Sequence, residues 1–473
     1  MTTATELIAK NSAWHLGAKV LGIIIGIITI AIMTRYLGTA GFGTYATALA
    51  WLQFFGILVD FGLYLVLLSE LGKTDDPSEQ QKITGNIMSL RIISGGSLLL
   101  ISIALGWLMP YDTLTKLVIT FLAGSFLCQL INQILTAIFQ KHLAMARGAW
   151  VEIISKLLTM ILLLIAVWQN WGILSVAALI TLANIIGTVV IWQLSKKLIR
   201  IKLYFDTNYQ KKIIILAWPL ALATIFNLFY FKTDTIILSI FHPASTVGLY
   251  AAPYRILEVL ISLPPIFLGL LLPQLTKYYQ TNKELFWQQI KLGLDVFHAF
   301  LIPLLVGGII LARPLITLLA GKEFSEADYL LQILLLATAC IFYTQLFTYI
   351  IVAIGKQKNI LPIAVTASLL ALALYFVFIP SGGAGAAALT TLVIEGLVMI
   401  SYLYLTKKYT LLKLSFINFY KIFLISLLMG SITFIIRDWP VIINIILSTL
   451  VYLFGLKYSK VFSFSKIRAM VKT

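Results

Sequence analysis

Ionisable side chains interrupt long apolar runs at Lys19, Asp60, Arg91, Glu152, Lys156, Lys232, Asp234, Arg255, Glu258, Asp295 and Glu395. A charge at mid-bilayer costs roughly 2.5–3.5 kcal/mol on insertion scales, so each one retained marks a functional or a paired position. Spacing supplies some partners. Glu152 and Lys156 stand four apart with the acid first, and Arg255 and Glu258 stand three apart, so each pair shares a helix face. Asp295 lies near the end of its run, where water is expected to reach it. Spacing alone suggests no obvious same-face partner for Lys19, Arg91 and Lys232, and Asp234, two residues from Lys232, points elsewhere on a helix.

Cations kept out of water suit an anion with several acceptor oxygens, and Arg and Lys are the natural partners of phosphate. Lys19, Arg91, Lys232 and Arg255 are the candidate ligands if the cargo is an anion such as a lipid diphosphate, but the spans hold about as many acids as bases, so composition alone leaves that open. Asp60, Asp234, Glu258 and Glu395 are the candidate coupling or ion-pair acids. The competing reading is that the cations neutralise carboxylates on neighbouring helices, for instance Lys19 with Asp60. His15, His142, His242 and His298 form no ligand cluster, so no metal is expected.

The elements that must position these groups follow from composition. Of 473 residues, 60% are hydrophobic and 11% are charged. Soluble domains are roughly 45–50% apolar and about 25% charged, so lipid must be the main solvent here. Backbone groups facing lipid have to be satisfied internally, and continuous apolar runs of about 20 residues choose helices over a barrel. The fold class expected is all-α, a polytopic membrane protein of about fourteen transmembrane helices.

The net charge of +17 is distributed unevenly. Lys and Arg crowd into the termini and alternate loops, which places both termini in the cytoplasm of an inner-membrane protein. No basic patch carries interleaved stacking aromatics, so nucleic acid is not an expected partner. Cys128 and Cys340 both fall in apolar runs and support neither a disulfide framework nor a metal pair. Met1 to Ser12 lacks the pattern of a cleaved secretory signal, so the first apolar run is expected to remain as a span. The longest connection, 195–212, carries Lys196, Lys197, Arg200, Lys202, Lys211 and Lys212 and reads as a cytoplasmic anchoring loop. The basic C-terminal tail is expected along the anionic inner surface. Membrane lipids are thus expected partners. Between Asn170 and Gly172 two spans must meet in a very tight hairpin.

A weak internal repeat gives the plan. Phe42-Gly43-Thr44-Tyr45-Ala46 is echoed by Val247-Gly248-Leu249-Tyr250-Ala251, and Ala177-Ala178-Leu179-Ile180-Thr181-Leu182 by Ala387-Ala388-Leu389-Thr390-Thr391-Leu392, in the same order and at nearly the same offset. Two six-helix lobes of like orientation are expected around a central cavity. They would be an N-terminal lobe at 1–194 and a C-terminal lobe at 213–406, joined by the basic linker 195–212. Residues 407–473 would add two further helices and the tail. The small residues Ala18, Gly22 and Gly26 read as a packing stripe, and Ser381-Gly382-Gly383-Ala384-Gly385 as a turn with a close-packed helix start.

With these residues on the page the chain resembles the polysaccharide transporter branch of the multidrug/oligosaccharidyl-lipid/polysaccharide exporter superfamily. The likeness is carried by Arg35-Tyr36-Leu37-Gly38, Phe42-Gly43-Thr44-Tyr45 and Asp60-Phe61-Gly62-Leu63. It continues with Asp234 before Gly248-Leu249-Tyr250-Ala251, then Leu272-Pro273-Gln274-Leu275, Gly321-Lys322-Glu323-Phe324-Ser325-Glu326-Ala327 and Gly355-Lys356-Gln357. The resemblance implies a V-shaped transporter that flips undecaprenyl-diphosphate-linked oligosaccharide from the cytoplasmic to the outer leaflet by alternating access, for surface polysaccharide assembly. Its implied partners are that lipid-linked oligosaccharide, membrane lipids and a polysaccharide polymerase or ligase complex. It implies no enzyme activity. No cofactor is expected, because Leu71-Gly72-Lys73-Thr74 lacks the upstream glycine of a phosphate loop. Two rival readings stand beside this one: a multidrug/ion antiporter of the same superfamily, and an integral-membrane glycosyl polymerase or ligase.

Overall fold

In the computed structural model the backbone is described for residues 4–60, 62–142, 144–410 and 417–459, with side chains for these residues except 4–16, 57, 59, 60 and 219–231. The described residues form fifteen α-helices, two short 3-10 turns and no strand. In order the helices are α1 Ala4–Asp60, α2 Leu63–Gly72, α3 Pro77–Leu108, α4 Thr113–Lys141, α5 Met145–Trp168, α6 Gly172–Ser195 and α7 Thr207–Phe241. There follow α8 Ala244–Ile261, α9 Pro264–Thr281, α10 Lys283–Ile310, α11 Ala312–Ala320, α12 Asp328–Ala353, α13 Ile360–Thr410, α14 Ile417–Ile435 and α15 Val441–Tyr458.

Eleven stretches among the described residues are long and apolar enough to cross a membrane. Two of the helices exceed one crossing. α1 has 57 residues and turns at Gly38 (φ 64°), and α13 has 51 and turns at Gly383 (φ 56°). At 1.5 Å per residue each would measure well over twice a core of about 30 Å if straight, so each glycine divides two arms. Positive φ explains why glycine stands at both corners. The Gly383 corner falls where the sequence placed a turn. Outward side chains are apolar, with Leu108 and Trp168 about four-fifths exposed, as lipid-facing helices require.

Other expected spans are segmented. The apolar run that joins α1 to α2 breaks at Gly62 (φ 68°), whose carbonyl receives the N–H groups of Leu65 and Val66. Pro264 opens α9 and separates it from α8. The freed carbonyl of Ile261 accepts from Gln345 Nε2 at 3.2 Å. Likewise Ile309, at the end of α10, accepts from Gln332 Nε2 at 3.1 Å. Both glutamines belong to α12, which thereby satisfies backbone that lipid could not. The α5–α6 hairpin is as tight as expected: Asn170 takes φ 55° and Gly172 φ 68°, while Trp171 N–H returns to Ala166 O at 3.0 Å.

Contacts divide the chain into two compact units, Met1–Gly248 and Leu249–Thr473. In the first, Trp51, Leu52, Phe55, Leu122 and Phe126 fill one core and Leu67, Ile87, Ile134 and Phe139 another. Within the second, Leu268, Phe286, Phe297, Phe342 and Leu346 pack together. The two glycines of the sequence repeat meet inside the first unit. A Cβ on Gly43 would lie 1.7 Å from Ala244 O, and one on Gly248 would lie 1.9 Å from Thr39 O. Each glycine faces the carbonyl four residues before the other, a reciprocal backbone contact open only to residues without a side chain.

Candidate functional site

α3 places Arg91 on a face packed against α4. Its side chain is wholly buried. Nε donates to Leu130 O at 3.3 Å, and Nη2 donates to Gln133 Oε1. Leu130 and Gln133 are three apart and share a face of α4. Gln133 itself is exposed, so its amide closes over the guanidinium. Sequence reading missed this arrangement, since acceptor and cation lie 42 residues apart and neutral amides carry no charge signal.

On α7, Asp234 is 1% exposed. Its Oδ1 accepts the Thr235 N–H at 2.5 Å and the Thr235 hydroxyl at 3.1 Å. Lys232 is half-buried and Lys19 on α1 is exposed. The side chain of Asp60 lies outside the described residues. Glu152 and Lys156 form the expected pair at 2.8 Å. Lys156 Nζ also reaches over Gly22, where a Cβ would approach it to 2.9 Å. The stripe is therefore used unevenly, because Gly26 faces open space.

In the second unit Arg255 and Glu258 pair at 2.5 Å, as their spacing predicted, with both side chains partly exposed. Glu395 on α13 is 3% exposed. One turn before it, Thr391 Oγ1 accepts from Tyr375 OH at 3.0 Å and stands 3.5 Å from Tyr250 OH. This carboxyl group thus sits one turn from a buried row of hydroxyls. Asp295 departs from expectation. It is 8% exposed rather than wet, because Asn418 of α14 covers it and donates to Oδ2 at 2.7 Å. The partner lies 123 residues away, beyond any local spacing rule.

Among the described groups outside the spans, Asp75 and Tyr209 are shifted from their ordinary values by their surroundings. Lys141, 2.9 Å from Asp75, holds that carboxyl below the usual range. Burial, with the charges of Glu70 and Glu79, pushes the Tyr209 hydroxyl up to about 12. Among the described residues no three His, Cys, Asp or Glu side chains gather as a metal site.

Known proteins resemble the chain in sequence and in fold. The capsular polysaccharide biosynthesis protein CapF of Staphylococcus aureus is 25% identical over 341 residues, covering 71% of this chain and 84% of that protein. The lipid II flippase MurJ, in an inward closed conformation, shares the fold with a TM-score of 0.79 at 18% identity, over 93% of this chain and 97% of that one. A multidrug resistance MATE family transporter of the MOP superfamily, inward-facing, follows at 0.67 and 13% identity, over 81% and 94%. The architecture is therefore the all-helical one of MurJ and the MATE transporters. A family profile described as polysaccharide biosynthesis protein matches residues 8–279. This membrane protein belongs to the polysaccharide biosynthesis protein family.

Proposed function

We propose that the chain is a flippase that moves undecaprenyl-diphosphate-linked oligosaccharide from the cytoplasmic to the outer leaflet of the inner membrane, for surface polysaccharide assembly. The observation that carries this reading is the match of residues 8–279 to the polysaccharide biosynthesis family on a backbone like that of a lipid II flippase over nearly the whole chain. In this reading two six-helix lobes, at 1–194 and 213–406, alternate access to a cavity between them, and both termini face the cytoplasm.

Carrying a diphosphate through oil requires replacement of its water shell. Lys19, Lys232 and Arg255 keep partly or fully exposed side chains and are the first ligands in this scheme. Arg91 is enclosed, and Gln133 Oε1 occupies a position on its guanidinium that a phosphate oxygen could take. Swinging Gln133 aside exchanges a neutral acceptor for a charged one, the stronger kind of hydrogen bond. Asp60, Asp234, Glu258 and Glu395 are the acids available to couple the cycle to an ion gradient.

The test is purified protein in vesicles loaded on one leaflet with a fluorescent lipid-diphosphate oligosaccharide. Faster movement to the other leaflet than in protein-free vesicles is the expected result. Drug-coupled proton or sodium flux without lipid movement would replace the reading with an antiporter. Polymer formed by the protein alone from labelled sugar would replace it with an enzyme.

A further inference from the structure

The basic connection between α6 and α7 is a built surface rather than a slack loop. After Ser195 one turn brings Leu198 and Ile199 back to the Ser195 carbonyl, and the chain then runs without helix from Arg200 to Asp206. It lies along α3. Lys202 O sits where a Cβ of Gly85 would come within 1.9 Å of it, and the Tyr204 ring covers the same glycine. Ser89 Oγ donates to Tyr204 O. Asn86 Oδ1 accepts the Asp206 N–H at 2.9 Å, and Gln210 Nε2 donates to Ser89 Oγ at 2.9 Å. Asp206 then caps α7 through the N–H groups of Asn208 and Tyr209.

With Tyr204 turned toward α3, its neighbours in this non-helical run point away, because alternate side chains of an extended chain take opposite sides. Leu203 is 44% exposed and Phe205 is 62% exposed. Lys196, Lys197, Arg200, Lys202, Lys211 and Lys212 around them are all exposed. The backbone bonds hold two apolar side chains outward among six cations. The segment follows α6, which is long and apolar enough to cross a membrane, after a single turn, and leads into α7, which the apolar run of the sequence reads as the next span, so it stays close to the bilayer. The layer found there offers both complements, acyl chain for Leu203 and Phe205 and phosphate for the cations.

We propose that residues 196–212 form a docking surface for anionic phospholipid headgroups of the adjacent leaflet, with Leu203 and Phe205 inserted at the acyl boundary. An acidic soluble protein would match the cations but not the paired apolar side chains. The surface is separate from the transport reading and stands or falls without it.

The experiment uses the full chain with Phe205→Cys carrying a fluorophore, in a Cys128→Ala and Cys340→Ala background, in nanodiscs of neutral lipid with or without a third of phosphatidylglycerol. Quenching by brominated lipid should rise, and quenching by aqueous acrylamide fall, by about twofold when anionic lipid is present. The shift should vanish in 1 M salt, where the screening length is about 3 Å. Lys196→Gln, Lys197→Gln, Arg200→Gln and Lys202→Gln together should abolish it, and because all four side chains are exposed the variant keeps its fold. Equal quenching with and without anionic lipid, or an undiminished shift in the fourfold variant, overturns the proposal. Protection that needs added soluble protein instead of lipid assigns the surface to another partner and also overturns it.

Discussion

Arg91 is the side chain whose surroundings say most about its use. Losing a hydrogen bond to a charged group costs about 1.5–3 kcal/mol, so Arg91→Ala should lower thermal stability by that order. In the vesicle assay it should also stop lipid movement, whereas Gln133→Ala should preserve movement, since it only uncovers the guanidinium. Loss in both variants alike would make the pair structural. Ala replacement of Lys19, Arg91, Lys232 and Arg255 in turn should reduce movement at two or more of these four cations without loss from the membrane; normal movement in all four refutes a cationic passage. Glycine substitutions divide sharply. Gly43→Ala and Gly248→Ala should each lower the melting temperature and yield, because a methyl would strike backbone carbonyls at 1.7 and 1.9 Å. Gly26→Ala should be silent, its position being open. Such contrasts were invisible to a stripe read from spacing. Asp75, bound to Lys141, has a lowered folded pKa. Its small stabilisation is present above the unfolded value and is lost as pH falls through the folded one, so Lys141→Gln should flatten stability only across that acidic window.

At the level of elements, α12 acts as a brace. Its Gln332 and Gln345 reach the carbonyls released where α10 ends and where α8 meets α9. Inter-helical hydrogen bonds in membranes average about 0.6 kcal/mol and reach about 1.7. Gln345→Leu should therefore lower the unfolding midpoint modestly in detergent, and Gln332→Leu likewise; the double variant should be roughly additive, since the two bonds share no partner. An unchanged midpoint in both would mean water or another group serves those carbonyls. Helix presence was legible from hydropathy because each apolar run must close its own backbone bonds. The breaks were legible in part. The break at Pro264 follows from a residue that lacks the N–H a helix needs, while the break at Gly62 was hidden because the surrounding run stays apolar and a lone glycine is tolerated in many helices.

For the whole molecule, the charge pattern predicts both termini on the cytoplasmic side, and reporter fusions after Thr473 should be active only as a cytoplasmic fusion; a periplasmic signal would invert the scheme. The membrane as solvent, the all-helical class and the local ion pairs Glu152–Lys156 and Arg255–Glu258 were readable in the order of the residues alone. These follow from composition and from spacing within one helix, which are one-dimensional properties. Helix packing set the rest: Arg91 rests on Leu130 and Gln133, Asn418 covers Asp295, two glycines far apart in sequence share a backbone contact, and the basic linker is bonded along α3. Each of these joins residues distant in the chain through neutral groups. Burial and direction at such positions depend on which helices pack together, and hydropathy does not encode that choice.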